Sequence, residues 1–174
     1  MNRTTWQWVA SAAIAATIML FVGLGAWLLR TQRIEKVVTG DRLPVVQGTA
    51  LDGQSRAVSA RSSRPQLWLV ISPGCDICRH ELRELEAILG TQQRQVPAVT
   101  VISVGGLAES VVALRGLPAV KRLTVVDSAK TLERTAGRFH TPTMLAFDAE
   151  GQVRWKIVGE PANLQQALME GAMR

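Results

Sequence analysis

The stretch Ser72-Pro73-Gly74-Cys75-Asp76-Ile77-Cys78-Arg79-His80 (SPGCDICRH, residues 72–80) holds the only two cysteines of the 174-residue chain. It follows an apolar run, Gln66–Ser72 (QLWLVIS), and precedes a leucine-rich segment. The run reads as a strand buried on both faces. The segment reads as a helix over Asp76–Leu89, because Cys78, Leu82, Leu85 and Leu89 recur at spacings of 4, 3 and 4. Gly90 suits its C-cap. Cysteines three apart at a helix start lie on neighbouring faces of the first turn, where a bridge can close. The apolar stripe turns Cys78 toward the core and leaves Cys75 exposed at the open end.

That end of a helix has chemical consequences. Its unpaired N–H groups and its dipole favour negative charge, so they stabilise a thiolate. Cys75 is therefore the candidate nucleophile. Cys78 is placed to attack a mixed disulfide and release the partner. Asp76 favours the helix start as a first-turn acid, yet opposes the thiolate as a second negative charge. Any disulfide within the chain joins Cys75 to Cys78, and so short a loop constrains the unfolded chain little. Two other readings stand beside the redox one. The cysteines could be small core residues. They could also bind metal with help from His80 and His140, the only histidines. Structural zinc takes four ligands. His80 points away around the helix, and the remaining Cys75, Cys78 and His140 suit a copper carrier better.

Outward from this motif the pattern alternates. Leu43–Ala50 and Gln54–Val58 flank the hairpin turn signal Asp52-Gly53. Beyond the helix come a strand Ala98–Val104, a helix Leu107–Leu114, a strand Leu123–Val126 and a helix Ser128–Gly137. Strands Thr143–Phe147 and Gln152–Val158 flank the turn Asp148–Gly151, and Ala162–Ala172 forms the last helix. The order β-β-β-α-β-α-β-α-β-β-α predicts an α/β fold whose sheet is largely parallel, with the final hairpin making it mixed.

Ahead of this pattern, Val9–Leu29 is 21 residues without a charge. As a helix it would be about 31 Å long, enough to cross a bilayer core. Trp6, Trp8 and Trp27 lie near its ends, where indole rings favour headgroups. A cleavable signal peptide is the alternative; the apolar run is longer than the 7–15 residues usual for one. Residues 1–30 thus read as a membrane anchor, 31–42 as a linker and 43–174 as the folded domain. Arg3 precedes the span, whereas Arg30, Arg33, Lys36 and Arg42 follow it. That count, taken alone, places the domain in the cytoplasm. The formal net charge is +6, but the basic residues are scattered. The densest cluster, Arg56–Arg64 (RAVSARSSR), reads as a solvated loop, and nucleic acid is not expected as a partner.

A second landmark is Arg138–Val153 (RFHTPTMLAFDAEGQV). Pro142 stands between threonines just before a strand. An X-Pro bond is cis at modest cost, and such a turn leaves backbone groups free for strand-like pairing. A strand ending in S-P-x-C-x-x-C, a helix and a distant T-P-T before a hairpin together resemble the thioredoxin fold. The single N-terminal span, the D-G hairpin and the D-x-x-G after T-P-T resemble the membrane-anchored TlpA/ResA-like group. The S-P-x-C-x-x-C form is similar to MauD-like proteins, accessory factors for methylamine dehydrogenase maturation.

The resemblance implies a three-layer thioredoxin-like domain with a cis Pro142 packed against the cysteines. Thr141 would pair through its backbone with a client peptide. It implies a thiol–disulfide oxidoreductase anchored in the bacterial inner membrane and facing the periplasm, opposite to the positive-charge count. No cofactor or metal is required. Clients would be cytochromes c or a quinoprotein dehydrogenase subunit, and a DsbD/CcdA-like membrane carrier would supply electrons. Three positions depart from the family pattern. Leu69 stands where thioredoxin has a buried acid, Asp76-Ile77 replaces Gly-Pro, and His140 replaces a glycine. His140 is thereby a candidate modulator of Cys75, as is Asp76. An assembly scaffold without redox chemistry is a further alternative.

Overall fold

The computed structural model describes residues 15–26, 37–92 and 98–173. The chain divides into two units, Met1–Ile34 and Glu35–Arg174. In the first, residues 15–26 form a helix, α1, whose Ile18, Met19, Leu20, Phe21 and Val22 are exposed. Among the described residues no helix is long and apolar enough to cross a membrane. The remainder of the expected Val9–Leu29 span lies outside the described residues.

The second unit is built on a seven-stranded sheet of order β2-β1-β5-β4-β3-β6-β7. Its strands are β1 (Val46–Ala50), β2 (Ser55–Val58), β3 (Gln66–Ile71), β4 (Ala98–Ser103), β5 (Thr124–Val126), β6 (Thr143–Phe147) and β7 (Val153–Val158). Its helices are α2 (Asp76–Gln92), α3 (Leu107–Ala113), α4 (Pro118–Leu123), α5 (Thr131–Ala136) and α6 (Leu164–Met173). The mixed α/β architecture matches the sequence expectation, but the sheet is not largely parallel. Among the described residues, parallel pairing is confined to β3–β4 and β4–β5. The β1–β2 hairpin joins β5 antiparallel, and β6 runs against β3. The two strands of a tight hairpin run antiparallel, so β1–β2 and β6–β7 each add an antiparallel pair to the sheet.

β3 is the central strand. Leu67, Leu69 and Ile71 enter one core with Cys78, Leu82 and Leu85 of α2, while Trp68 and Val70 enter the other. This two-sided burial is why the run is continuously apolar. On the second face Trp68 and Phe147 pack with ring centroids 4.8 Å apart. The Asp52-Gly53 turn forms as expected, with Gly53 at φ +88° and the Gln54 N–H donating to Asp52 Oδ1.

Several boundaries differ for physical reasons. α2 passes through Gly90, because Thr91 Oγ1 donates back to the Ala87 carbonyl and extends the last turn. α4 was not expected at all. Its first amides, those of Ala119 and Val120, donate to the Glu86 carboxylate of α2 at 3.0 and 2.8 Å. α5 begins at Thr131 rather than Ser128, where buried Asp127 accepts from the Thr131 and Leu132 amides. The segment Arg56–Arg64 is not wholly a loop, since Arg56–Val58 belongs to β2 and Ala60 is buried. The expected linker is docked from Val37 onward. Val37 is buried, Lys156 Nζ donates to its carbonyl at 2.8 Å, and Arg42 bridges to Gln152.

Candidate active site

The topology brings the two sequence landmarks together. β3 ends at Ile71 and hands the chain to α2 through Ser72-Pro73-Gly74. β6 is antiparallel to β3, with Val70 opposite Thr143, so it starts at the edge of the sheet where β3 ends. Cys75 and Thr141 therefore meet although they are 66 residues apart in the chain.

Cys75 is the N-cap of α2. Its carbonyl accepts the Arg79 N–H at 3.2 Å, the first helical bond, and its Sγ accepts the Cys78 N–H at 3.1 Å. A sulfur thus occupies the place that a serine or threonine oxygen takes in an ordinary cap. The Cys75 N–H donates to the Ser72 carbonyl at 3.1 Å and closes the turn before the helix. Cys75 and Cys78 form a disulfide, with Cα atoms 5.2 Å apart. Cys78 is fully buried in the α2 core, as the stripe requires. Cys75 is less open than expected; it is half-buried and packs against the same core.

The Thr141–Pro142 peptide bond is cis. The Thr141 carbonyl oxygen lies 3.5 Å from Cys75 Sγ. The Gly159 N–H donates to the Pro142 carbonyl at 2.8 Å, tying the end of β7 to this loop. Among the described residues the Thr141 N–H has no backbone partner, so an edge is open beside the sulfur. Exposed Ile77 and Val158 lie in the sequence beside Cys78 and Gly159.

The remaining candidates fall outside this centre. Asp76 is exposed and forms an ion pair with Arg79, which holds part of its charge away from the sulfur. His80 faces outward, with Nε2 3.5 Å from Glu84 Oε1 and 3.6 Å from Glu160 Oε1. His140 is exposed, and its carbonyl accepts from Thr143 Oγ1. Among the described residues no three His, Cys, Asp or Glu side chains are placed to hold a metal ion.

One residue escaped the sequence reading. Glu81 is only 1% exposed, one helical position before Leu82 and three after Cys78. Residues three apart on a helix are surface neighbours, so its carboxyl adjoins the buried cysteine's side of α2. Its Oε2 has no hydrogen-bond partner among the described residues. Burial first, then the nearby Glu84 and Glu160 carboxylates, push its pKa from 4.5 up to about 7, against an opposing pull from His80. Leu69 is indeed apolar and buried. The domain therefore has a buried acid, supplied by α2 instead of β3. The sequence did not single it out, because Glu84 and Glu86 border the same stripe Cys78–Leu82–Leu85.

No protein-family model matches the chain, and no curated protein matches it in sequence. Solved structures do. A putative thiol:disulfide interchange protein DsbE from Chlorobium tepidum superposes with a TM-score of 0.62 at 17% identity, covering 78% of this chain and 96% of that one. The thioredoxin domain of a thiol-disulfide oxidoreductase from Bacteroides vulgatus gives 0.60 at 18% identity, covering 79% and 99%. A peroxiredoxin-like protein from Aquifex aeolicus gives 0.61 at 16% identity, covering 78% and 86%. Thiol–disulfide oxidoreductases are thus among the solved neighbours, and the Cys75–Cys78 disulfide is consistent with that activity. Likeness at such identity carries architecture rather than chemistry, and on it the chain is a thioredoxin-fold protein with a C-x-x-C disulfide at the start of its second helix.

Proposed function

We propose that this chain is a thiol–disulfide oxidoreductase acting on cysteines of client proteins during their maturation. The observation that carries the reading is the position of Cys75 Sγ, held between the Cys78 amide and the Thr141 carbonyl beside an open backbone edge. In the reduced protein the Cys75 thiolate keeps the helix-end amides as its stabilising partners. It attacks one sulfur of a client disulfide, a Cys75–client bond forms, and the other client sulfur leaves as a thiolate. Cys78 then loses its proton and attacks Cys75 Sγ. The Cys75–Cys78 bond forms and the second client sulfur leaves. The client gains two electrons and this protein loses two; the reverse sequence oxidises a client dithiol. Glu81, three residues along α2 from Cys78, buried and with its pKa pushed up to about 7, is the proposed carrier of the Cys78 proton.

The finer parts rest on the sequence. Val9–Leu29 anchors the domain in the inner membrane, and the domain faces the periplasm. Clients are cytochrome c or quinoprotein dehydrogenase proteins, Thr141 and Pro142 shape their groove, and a DsbD/CcdA-like carrier returns electrons. No observation favours the copper reading through Cys75, Cys78 and His140.

Two measurements test this. Cys78→Ser in cells should trap a disulfide-linked client complex that disappears in Cys75→Ser/Cys78→Ser, while His140→Ala changes little. Loss of tight copper binding in His140→Ala, with no trapped client, would transfer the assignment to metal carriage. Alkylation of Cys75 in intact cells by a membrane-impermeant reagent, after reduction, should succeed; protection until lysis would place the domain in the cytoplasm.

A further inference from the structure

On the side of Cys75 away from the Thr141 edge lies a groove of about 850 Å³. Pro73 and Gly74, the residues leading into Cys75, form one end. Arg79 and Arg83 of α2 form one wall, and Val112 and Ala113 of α3 the other. The groove is built rather than incidental. Ser110 of α3 hydrogen-bonds buried Ser103 of β4 at 2.8 Å and donates to the Gly106 carbonyl at 2.7 Å, fixing α3 on the sheet. A Cβ on Gly105 would come within 2.5 Å of Pro73 Cδ, so only glycine lets the β4–α3 loop close beneath the cysteine turn.

The charges in the groove do not cancel. Glu109 lines it too, but its carboxylate accepts the Gly106 N–H at the start of its own helix. Arg79 is paired with Asp76. Arg83 makes no ion pair among the described residues, and Val112 opposite it is 61% exposed. An exposed cation and an exposed apolar side chain lining one trough, which is bounded by Gly74, the residue before Cys75, fit an extended peptide that carries a carboxylate and an apolar residue.

We propose that this groove seats the client segment flanking its reacting cysteine, and that Arg83 selects clients with an acidic residue near that cysteine. The proposal rests on the exchange reading above. Register follows from geometry. Arg83 lies eight residues beyond Cys75, roughly 12 Å along the helix axis at about 1.5 Å per residue. An extended client covers that distance in about four residues. A carboxylate about four positions from the client cysteine therefore reaches Arg83, and one about two positions away reaches Arg79.

The test uses the full-length protein and two peptide mixed disulfides, identical except for Glu or Gln four positions from the cysteine on each side in turn. The expected result is three- to ten-fold faster exchange with the Glu peptide at low salt, a preference that shrinks at high salt. Arg83→Glu should cancel or invert it, Arg83→Lys should retain part of it, and the charge-matched reversal Arg134→Glu on α5 should keep it. Equal rates for the two peptides, or a preference that survives Arg83→Glu, would overturn the proposal. A binding arm separates the two claims: Cys75→Ser/Cys78→Ser protein is titrated with fluorescent peptides carrying serine for cysteine. If exchange fails with every peptide yet Arg83→Glu weakens binding of the Glu peptide alone, the groove stands and the exchange reading falls. If no Glu-selective binding is seen, the groove proposal falls.

Discussion

Cys75 shows how one atom can combine a structural and a chemical role. As N-cap it satisfies the Cys78 amide, and that same amide stabilises negative charge on the sulfur. Glu81 is the complementary case, a carboxyl that the fold holds at a cost. Below pH 4.5 it is protonated in both folded and unfolded chains and contributes no difference. Between 4.5 and about 7 the unfolded chain has released the proton while the folded one retains it, so stability falls as pH rises. Above that range the folded protein carries a buried charge. Glu81→Gln should therefore leave urea stability at pH 4.5 nearly unchanged and raise it at pH 8 by about 3 kcal/mol. Equal effects at both pH values would contradict the assignment. The same substitution should remove an inflection near pH 7 from the rate at which Cys78 resolves a mixed disulfide; an unaltered profile would exclude Glu81 as the proton carrier.

Among the elements, α4 and β1 depend most on distant residues. α4 has six residues, too few to persist alone. Glu86 supplies both acceptors for its first free amides from another helix. Glu86→Ala should lower stability by about 1–3 kcal/mol and raise hydrogen exchange in Pro118–Leu123 before other helices respond. Global loss without that local signature would mean the carboxylate is doing something other than capping. β1 passes β5 through Gly48, where an added Cβ would sit 2.5 Å from both Val125 Cγ1 and the Val126 carbonyl oxygen. Neither the backbone carbonyl nor a packed valine yields easily, so Gly48→Ala should cost roughly 1–3 kcal/mol in a chemical-denaturation midpoint. A neutral outcome would show that the β1–β2 hairpin shifts freely.

For the whole domain, the relevant question is where it begins. Val37 is buried among Val46, Val58, Phe139 and Val153, and the Gly40 N–H donates to the Val153 carbonyl at 2.7 Å. The Val153 N–H donates to the Asp41 carbonyl at 2.8 Å, so this segment covers part of the β7 edge. A chain beginning at Glu35 should keep the thermal midpoint of the full domain. One beginning at Leu43 loses a buried valine and these hydrogen bonds, and should be less stable by about 2–4 kcal/mol. Matching midpoints for the two chains would show that the segment adds nothing to the fold.

The local pattern by itself determined the strand–C-x-x-C–helix unit, the inward turn of Cys78, the Asp52-Gly53 hairpin and the final strand pair. Periodicity, turn chemistry and cysteine spacing act within a few residues of one another, so they can be read along the chain. Tertiary structure alone decided the antiparallel entry of β6, the start of α4 on Glu86 and the burial of Glu81; the meeting of the Thr141–Pro142 loop with Cys75 was expected only through the family resemblance. Each of these joins residues far apart in the chain or depends on what covers a side chain. Glu81 has the composition of an ordinary solvent-facing helix position, and only the packing around α2 removes it from water and raises its pKa toward 7.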